Sequence, residues 1–300
     1  MNVKDNQETL ERTGGKVRSN NSMHQPTEKR TDVEELGFRL VWNSDPHLNF
    51  LSVRAIKEFG QQMAAAEPDA VVISGDIGEH TTFDVLLELL NDQYPAPTYF
   101  VLGNHDFYGG SRADTLQKAR RIKFAHWLTA DEGYIELTPQ VALIGHDGWY
   151  DGRNGNYADC TDLTDNYVIW DLKWADKWQR KKLFEEWTDE AADNLRTRLI
   201  KALDAGYAEV YCITHVPPMH EAGWHEGRLN DDTWSPVMSN AVVGPNLVTV
   251  MKQHPEQHLT VLTGHTHGAG YHRASSNVEV HTGAAEYGQT RFEIIELGDN

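Results

Sequence analysis

The chain is 300 residues long and carries a formal net charge of −18, from 27 Lys and Arg against 45 Asp and Glu. So acidic a molecule repels polyanions, which argues against nucleic-acid binding and favours a smaller ligand. Nothing approaches the roughly 18 consecutive apolar residues of a membrane span, and two cysteines, Cys160 and Cys212, cannot build a disulfide framework.

Residues 1–36 are rich in Asn, Gln, Thr, Lys and Glu, the composition of a disordered polar tail. They hold no apolar stretch of the kind that marks a secretory leader, so a cytoplasmic location is expected. Residues 37–300 are expected to form a single domain. Its first buried strand is FRLVW (38–42), followed by a helical pattern over 50–66. The strand AVVIS (70–74) precedes a helix over 82–90, and TYFVL (98–102) precedes one over 111–128. After the strand VALIG (141–145) comes an insertion over 148–188 with five tryptophans, too aromatic for disorder. A helix over 189–203 places Ala192, Leu195, Leu199 and Leu203 on one stripe. The strand EVYCI (209–213) leads into a long loop over 218–240, then a helix over 245–254 and the strand LTVLT (259–263). Two β-rich stretches, VEVHT (278–282) and RFEIIEL (291–297), close the chain and suggest a second sheet beside the first. Strands alternating with helices over short connections imply an α/β fold.

The chemistry collects directly after the apolar runs. FRLVW is followed by Asp45 and His47, AVVIS by Asp76, and TYFVL by Asn104, His105 and Asp106. EVYCI is followed by His215, and LTVLT by His265 and His267. Alone, a D-x-H or a Gly-Asp after a strand is more often a turn than a ligand. Five strand ends in a row are another matter, because open α/β sheets keep their binding crevices at the carboxyl ends of strands. The set mixes imidazole with carboxylate and amide oxygen and contains no thiolate, which suits Mn, Fe, Zn or Ni, with Mg possible. Seven candidate ligands exceed the need of one ion; two ions about 3.5–4 Å apart, sharing a carboxylate, would use them all. Glycines 75, 103 and 264 are expected to turn the backbone so that the ligands face inward.

The order D-x-H, G-D, G-N-H-D, H, G-H-x-H resembles the calcineurin-like metallophosphoesterase superfamily, over roughly residues 38–270. The resemblance implies two mixed β-sheets packed face to face and flanked by helices, a four-layer α/β/β/α sandwich. It implies that Asp45, His47, Asp76 and His267 bind one metal and Asp76, Asn104, His215 and His265 the other, Asp76 bridging. His105 would be the catalytic histidine and Asp106 its orienting partner. The second motif, GDIGEH, has Glu79 where many relatives have Asp. It lacks both the arginine of the Ser/Thr phosphatases and the tyrosine of the purple acid phosphatases, so the similarity is to the phosphodiesterase-like branch.

Such a site would hydrolyse a small or medium phosphodiester or phosphomonoester by attack of a metal-bridging hydroxide, His105 serving the leaving oxygen. Further candidates for substrate contact are His146 after its strand, Trp149 and Tyr150 in the insertion, and His220, Trp224, His225 and Arg228 in the long loop. The Trp-rich insertion reads either as a packed flap or as a cap over the site. A nuclease of the same fold would need a basic groove, and a silent binding scaffold would be expected to lack ligands that this chain retains.

Overall fold

The computed structural model describes residues 37–298. The tail expected over residues 1–36 lies outside the described residues. In chain order the elements are β1 (Phe38–Asn43), α1 (Val53–Ala65), β2 (Ala70–Ser74), α2 (Phe83–Asn91), β3 (Thr98–Val101), α3 (Arg112–Ala119), β4 (His126–Trp127), β5 (Ile135–Glu136) and β6 (Val141–His146). There follow α4 (Asp165–Val168), α5 (Trp170–Lys173), α6 (Lys177–Asp204), β7 (Glu209–Thr214), β8 (Trp224–His225), β9 (Arg228–Leu229), α7 (Ser235–Met238) and α8 (Val243–Met251). The chain closes with β10 (His258–Thr263), β11 (Gly270–Ser275), β12 (Val278–Thr282) and β13 (Glu293–Leu297).

Among the described residues the strands form a five-stranded sheet ordered β13-β1-β2-β3-β4 and a six-stranded sheet ordered β11-β12-β10-β7-β6-β5, with β8-β9 a separate hairpin. Both sheets are mixed: β1 to β4 run parallel while β13 is antiparallel, and β6, β7, β10 and β12 run parallel while β5 and β11 are antiparallel.

Side-chain alternation along each strand explains the layering. Leu40, Trp42, Ala70 and Val72 of the first sheet meet Val141, Leu143, Tyr211 and Ile213 of the second in one buried cluster. The alternate positions Val41, Val71, Ile73 and Phe100 face outward onto Ile56, Phe59 and Leu87 of α1 and α2. Ala142, Ile144, Val210 and Cys212 likewise face Leu195, Leu199 and Leu247 of α6 and α8. The result is the four-layer sandwich expected from the sequence.

Three expectations need correcting. The helix of 111–128 stops at Ala119, and residues 126–127 form an edge strand instead. The helix of 189–203 begins twelve residues earlier, at Lys177, capped by Asp176, whose carboxylate accepts the Trp178 and Gln179 amides. Its first turns carry a dense mix of Lys, Arg, Glu and Trp that hides the apolar stripe, although Phe184 and Trp187 are buried. The two C-terminal strands do not share a sheet: β12 joins the second, while β13 returns to pair with β1.

Candidate metal centre

Parallel strands bring their carboxyl ends to the same rim, so the tails of β1, β2, β3, β7 and β10 converge. Ligand-forming atoms of Asp45, His47, Asp76 and His267 lie within 4.8 Å of one another, a group able to hold a metal ion. His47 Nε2 is 2.9 Å from His267 Nε2 and 3.7 Å from Asp76 Oδ2. His47 Nδ1 is buried and has no hydrogen-bond partner.

A second group adjoins the first. Asn104 Oδ1 lies 2.9 Å from both His215 Nε2 and His265 Nδ1. Asp76 faces both groups, with Oδ2 toward His47 and Oδ1 3.3 Å from His215 Nε2.

The hydrogen bonds behind these atoms decide what they can bind. His215 Nδ1–H donates to the Ser74 carbonyl at 2.8 Å, and His265 Nε2–H donates to the Val237 carbonyl at 2.9 Å. A carbonyl only accepts, so in each neutral ring the remaining nitrogen presents a lone pair. The two remaining nitrogens face Asn104 Oδ1, and the amide cannot reverse, because its Nδ2 donates to Asp165 Oδ1 at 3.0 Å. Acceptors converging on acceptors fit a cation.

The electrostatics agree. Burial holds His47 down to about 2 and His265 down to about 4, so both rings are neutral. Burial pushes Asp76 up to about 7, partly opposed by His215. Burial alone would lower His215, but the Asp76 and Asp45 carboxylates outweigh it and raise the ring. These buried carboxylates draw in positive charge.

The local backbone is costly. Asp45, His47, Asp76, His265 and His267 all adopt positive φ, between 42° and 71°. Non-glycine residues visit this left-handed region rarely, and when they do it is often at functional sites. Of the three glycines expected to turn the chain, Gly75 does so, with φ of 96°. Gly103 and Gly264 serve differently, by close approach: a Cβ on Gly103 would strike Asp76 Oδ1, and one on Gly264 would strike Asp45 Oδ2.

His105 stands at the edge of both groups, Nε2 4.0 Å from Asp76 Oδ2, with its ring stacked 4.3 Å from Tyr108. Asp106 is not its partner. The Asp106 carboxylate is buried and accepts the Gly78 and Gly103 amides, each at 2.8 Å, which ties the β2 and β3 loops together. Burial, reinforced by Asp76, pushes this carboxyl up to about 7.

A cleft of about 730 Å³ opens over the site, lined by His105, Asn104, His265 and His267 on its floor. Of the other expected substrate contacts, His225 and Arg228 line it. His146, Trp149 and Tyr150 are buried instead. His146 Nδ1 accepts the Gly148 amide, Trp149 packs edge-on against Trp187, and Tyr150 donates to Asp165. His220 is engaged with the Ser235 hydroxyl, and Trp224 donates to the Glu221 carbonyl; neither reaches the cleft. The insertion contributes to the cleft through Leu163, Thr164, Asp165 and Val168, not through its tryptophans.

Two important residues escaped the sequence reading. Asp165 is buried and accepts from Asn104, Tyr108 and Tyr150. Tyr287 covers the histidine cluster, 4.5 Å from the His47 ring. Neither follows a strand in a recognisable motif.

Residues 38–269 match the family model of the calcineurin-like phosphoesterases. The chain belongs to this family. Among solved structures, this calcineurin-like phosphoesterase is similar to the phosphopantetheinyl hydrolase PptH of Mycobacterium tuberculosis, with a TM-score of 0.62 and 14% identity over 84% of this chain and 90% of that one. It is also similar to a dimetal phosphatase from Danio rerio, with a TM-score of 0.55 and 14% identity over 87% of this chain and 93% of that one. At such identity the likeness establishes the shared fold. Comparison with curated proteins gives no significant match. No helix among the described residues is long and apolar enough to cross a membrane.

Proposed function

We propose that the chain is a dinuclear-metal phosphoesterase hydrolysing a small or medium phosphodiester or phosphomonoester. Asp45, His47, Asp76 and His267 hold one divalent ion; Asp76, Asn104, His215 and His265 hold the other, with Asp76 shared. The observation that carries this reading is the convergence of His215 Nε2 and His265 Nδ1 on Asn104 Oδ1 beside Asp76, the other nitrogen of each ring being already engaged by a backbone carbonyl. The family, which depends on paired metals, and the likeness to a dimetal phosphatase and a phosphopantetheinyl hydrolase support it.

When bound, the two ions supply positive charge for the phosphoryl oxygens and acidify water near neutral pH. The chain does the rest. Asp76 holds its place by accepting the His105 amide at 2.9 Å on Oδ1. Asp45 is fixed by the His265 amide at 2.8 Å. Burial keeps His105 below its usual pKa, against the pull of Asp165 and Asp106, so the ring meets the substrate neutral. Its N–H can hydrogen-bond the leaving oxygen as charge develops there.

The test is to strip the protein of metal, reload it with Mn, Ni, Zn or Mg, and assay a bis-aryl phosphodiester, an aryl monoester, cyclic nucleotides and single-stranded DNA. Turnover of an ester that depends on two bound ions per chain is expected. Absence of turnover with every metal would overturn the reading, and nicking of DNA would replace it with a nuclease.

A further inference from the structure

Phe50 and Tyr287 stand at the mouth of the cleft, large aromatic side chains left 53% and 48% exposed. They come from opposite ends of the domain: Phe50 follows His47 after β1, and Tyr287 lies between β12 and β13. Their rings meet at 4.9 Å. Tyr287 also lies 5.1 Å from the His267 ring, and its hydroxyl is 3.4 Å from His105 Nε2. Residue 287 falls beyond the 38–269 segment shared with the family, so the match does not account for it.

Aromatic surface left in water over a reactive centre gains nothing until something covers it. The cleft is far larger than a phosphoryl group, so an organic group must occupy the remainder. Position says which one. Hydrolysis transfers the phosphoryl group to water and releases the alcohol, whose oxygen departs hydrogen-bonded to the His105 N–H and takes up the proton that the attacking water gives up. His105 Nε2 faces the Tyr287 hydroxyl, and one face of its ring is covered by the stacked Tyr108. The group carried on the leaving oxygen therefore comes to rest on the Phe50–Tyr287 pair.

Taking the phosphoesterase reading as given, we infer that Phe50 and Tyr287 form a leaving-group subsite that selects esters of planar aromatic alcohols over those of small aliphatic ones. Offset or edge-on stacking of an aromatic ring on this pair provides the preference.

The test compares a phenyl and a hexafluoroisopropyl phosphodiester that share the same second group, since their leaving alcohols are of comparable acidity. Binding of phenylphosphonate and methylphosphonate to the metal-loaded protein is measured alongside. Wild type is expected to favour the phenyl ester, and Tyr287→Ala to reduce the aryl-over-alkyl ratio of kcat/KM about five- to tenfold, the scale of one aromatic contact. Tyr287→Phe keeps the ring and should keep most of the ratio. The preference for phenylphosphonate should shrink in parallel, with thermal melts confirming that each variant is folded. An unchanged ratio in Tyr287→Ala, with both rates lowered alike or not at all, would overturn the subsite while leaving the phosphoesterase intact. A wild type that hydrolyses neither ester and binds neither phosphonate would bring down the phosphoesterase reading itself.

Discussion

Asp165 accepts a hydrogen bond from Asn104 Nδ2 at 3.0 Å, and this turns the amide oxygen of Asn104 toward His215 and His265. An aspartate from the insertion thus sets the orientation of a side chain at the end of β3. Residues that hold a ligand in place commonly contribute about 10–100-fold to metal affinity. Asp165→Ala should weaken binding of one of two ions by about that factor and leave the other nearly unaffected. Calorimetric metal titration would separate the two sites; two unaltered affinities would mean that Asn104 needs no such support.

His105 lies beside the two candidate metal groups, its Nε2 4.0 Å from Asp76 Oδ2. His105→Ala is expected to keep two ions per chain while turnover falls about 10²–10⁴-fold. Metal content by mass spectrometry and kcat on the same sample check both halves. Loss of an ion would make His105 a ligand rather than the group that serves the leaving oxygen.

Gly103 has no room for a side chain. A methyl group there would collide with Asp76 Oδ1 and sit 2.6 Å from His215 Cε1. Gly103→Ala should cost about 1–3 kcal/mol of stability through overpacking and should weaken metal binding by displacing Asp76. Chemical denaturation of the metal-free protein, paired with a metal titration, reads both effects.

His146 governs a pH response away from the cleft. Burial, helped by Arg112 and Arg198, pushes its pKa from 6.5 down to about 3. The folded chain keeps the ring neutral, whereas the unfolded chain takes up a proton near pH 6.5. Below that pH the unfolded state binds more protons, so this group's stabilisation is complete above pH 6.5 and is lost on acidification toward pH 3. The loss runs at up to about 1.4 kcal/mol per pH unit. The stability difference between wild type and His146→Gln should therefore be constant above pH 6.5 and shift against wild type below it. Denaturant midpoints across this range provide the measurement, and a difference independent of pH would show that the ring titrates normally.

The strand ends were legible because two simple signals coincide there: an apolar run that must be buried, and a polar motif immediately after it. Asp45, Asp76, Asn104, His215 and His265 all announced themselves in this way. The same rule misled at His146, which also ends a strand but points its ring into the protein and bonds back to the Gly148 amide. Adjacency misled at Asp106, next to His105 in sequence but turned toward backbone amides of two loops. Asp165 and Tyr287 left no trace because their importance comes from long-range packing. Asp165 is 61 residues from Asn104, and Tyr287 is 182 residues from His105. Local pattern carries no information over such distances. The Trp-rich insertion contributes to the cleft through Leu163, Thr164, Asp165 and Val168 rather than through its tryptophans.

The left-handed backbone at Asp45, His47, Asp76, His265 and His267 sets fitness for chemistry against fitness for folding. At each position glycine would relieve about 1 kcal/mol or more of backbone strain and remove a candidate ligand in the same step. A population of variants bred only for heat tolerance of the metal-free chain would drift toward glycine and asparagine at these five codons. One bred for turnover would be held where it is, so the route to a sturdier protein runs through the loss of its catalyst.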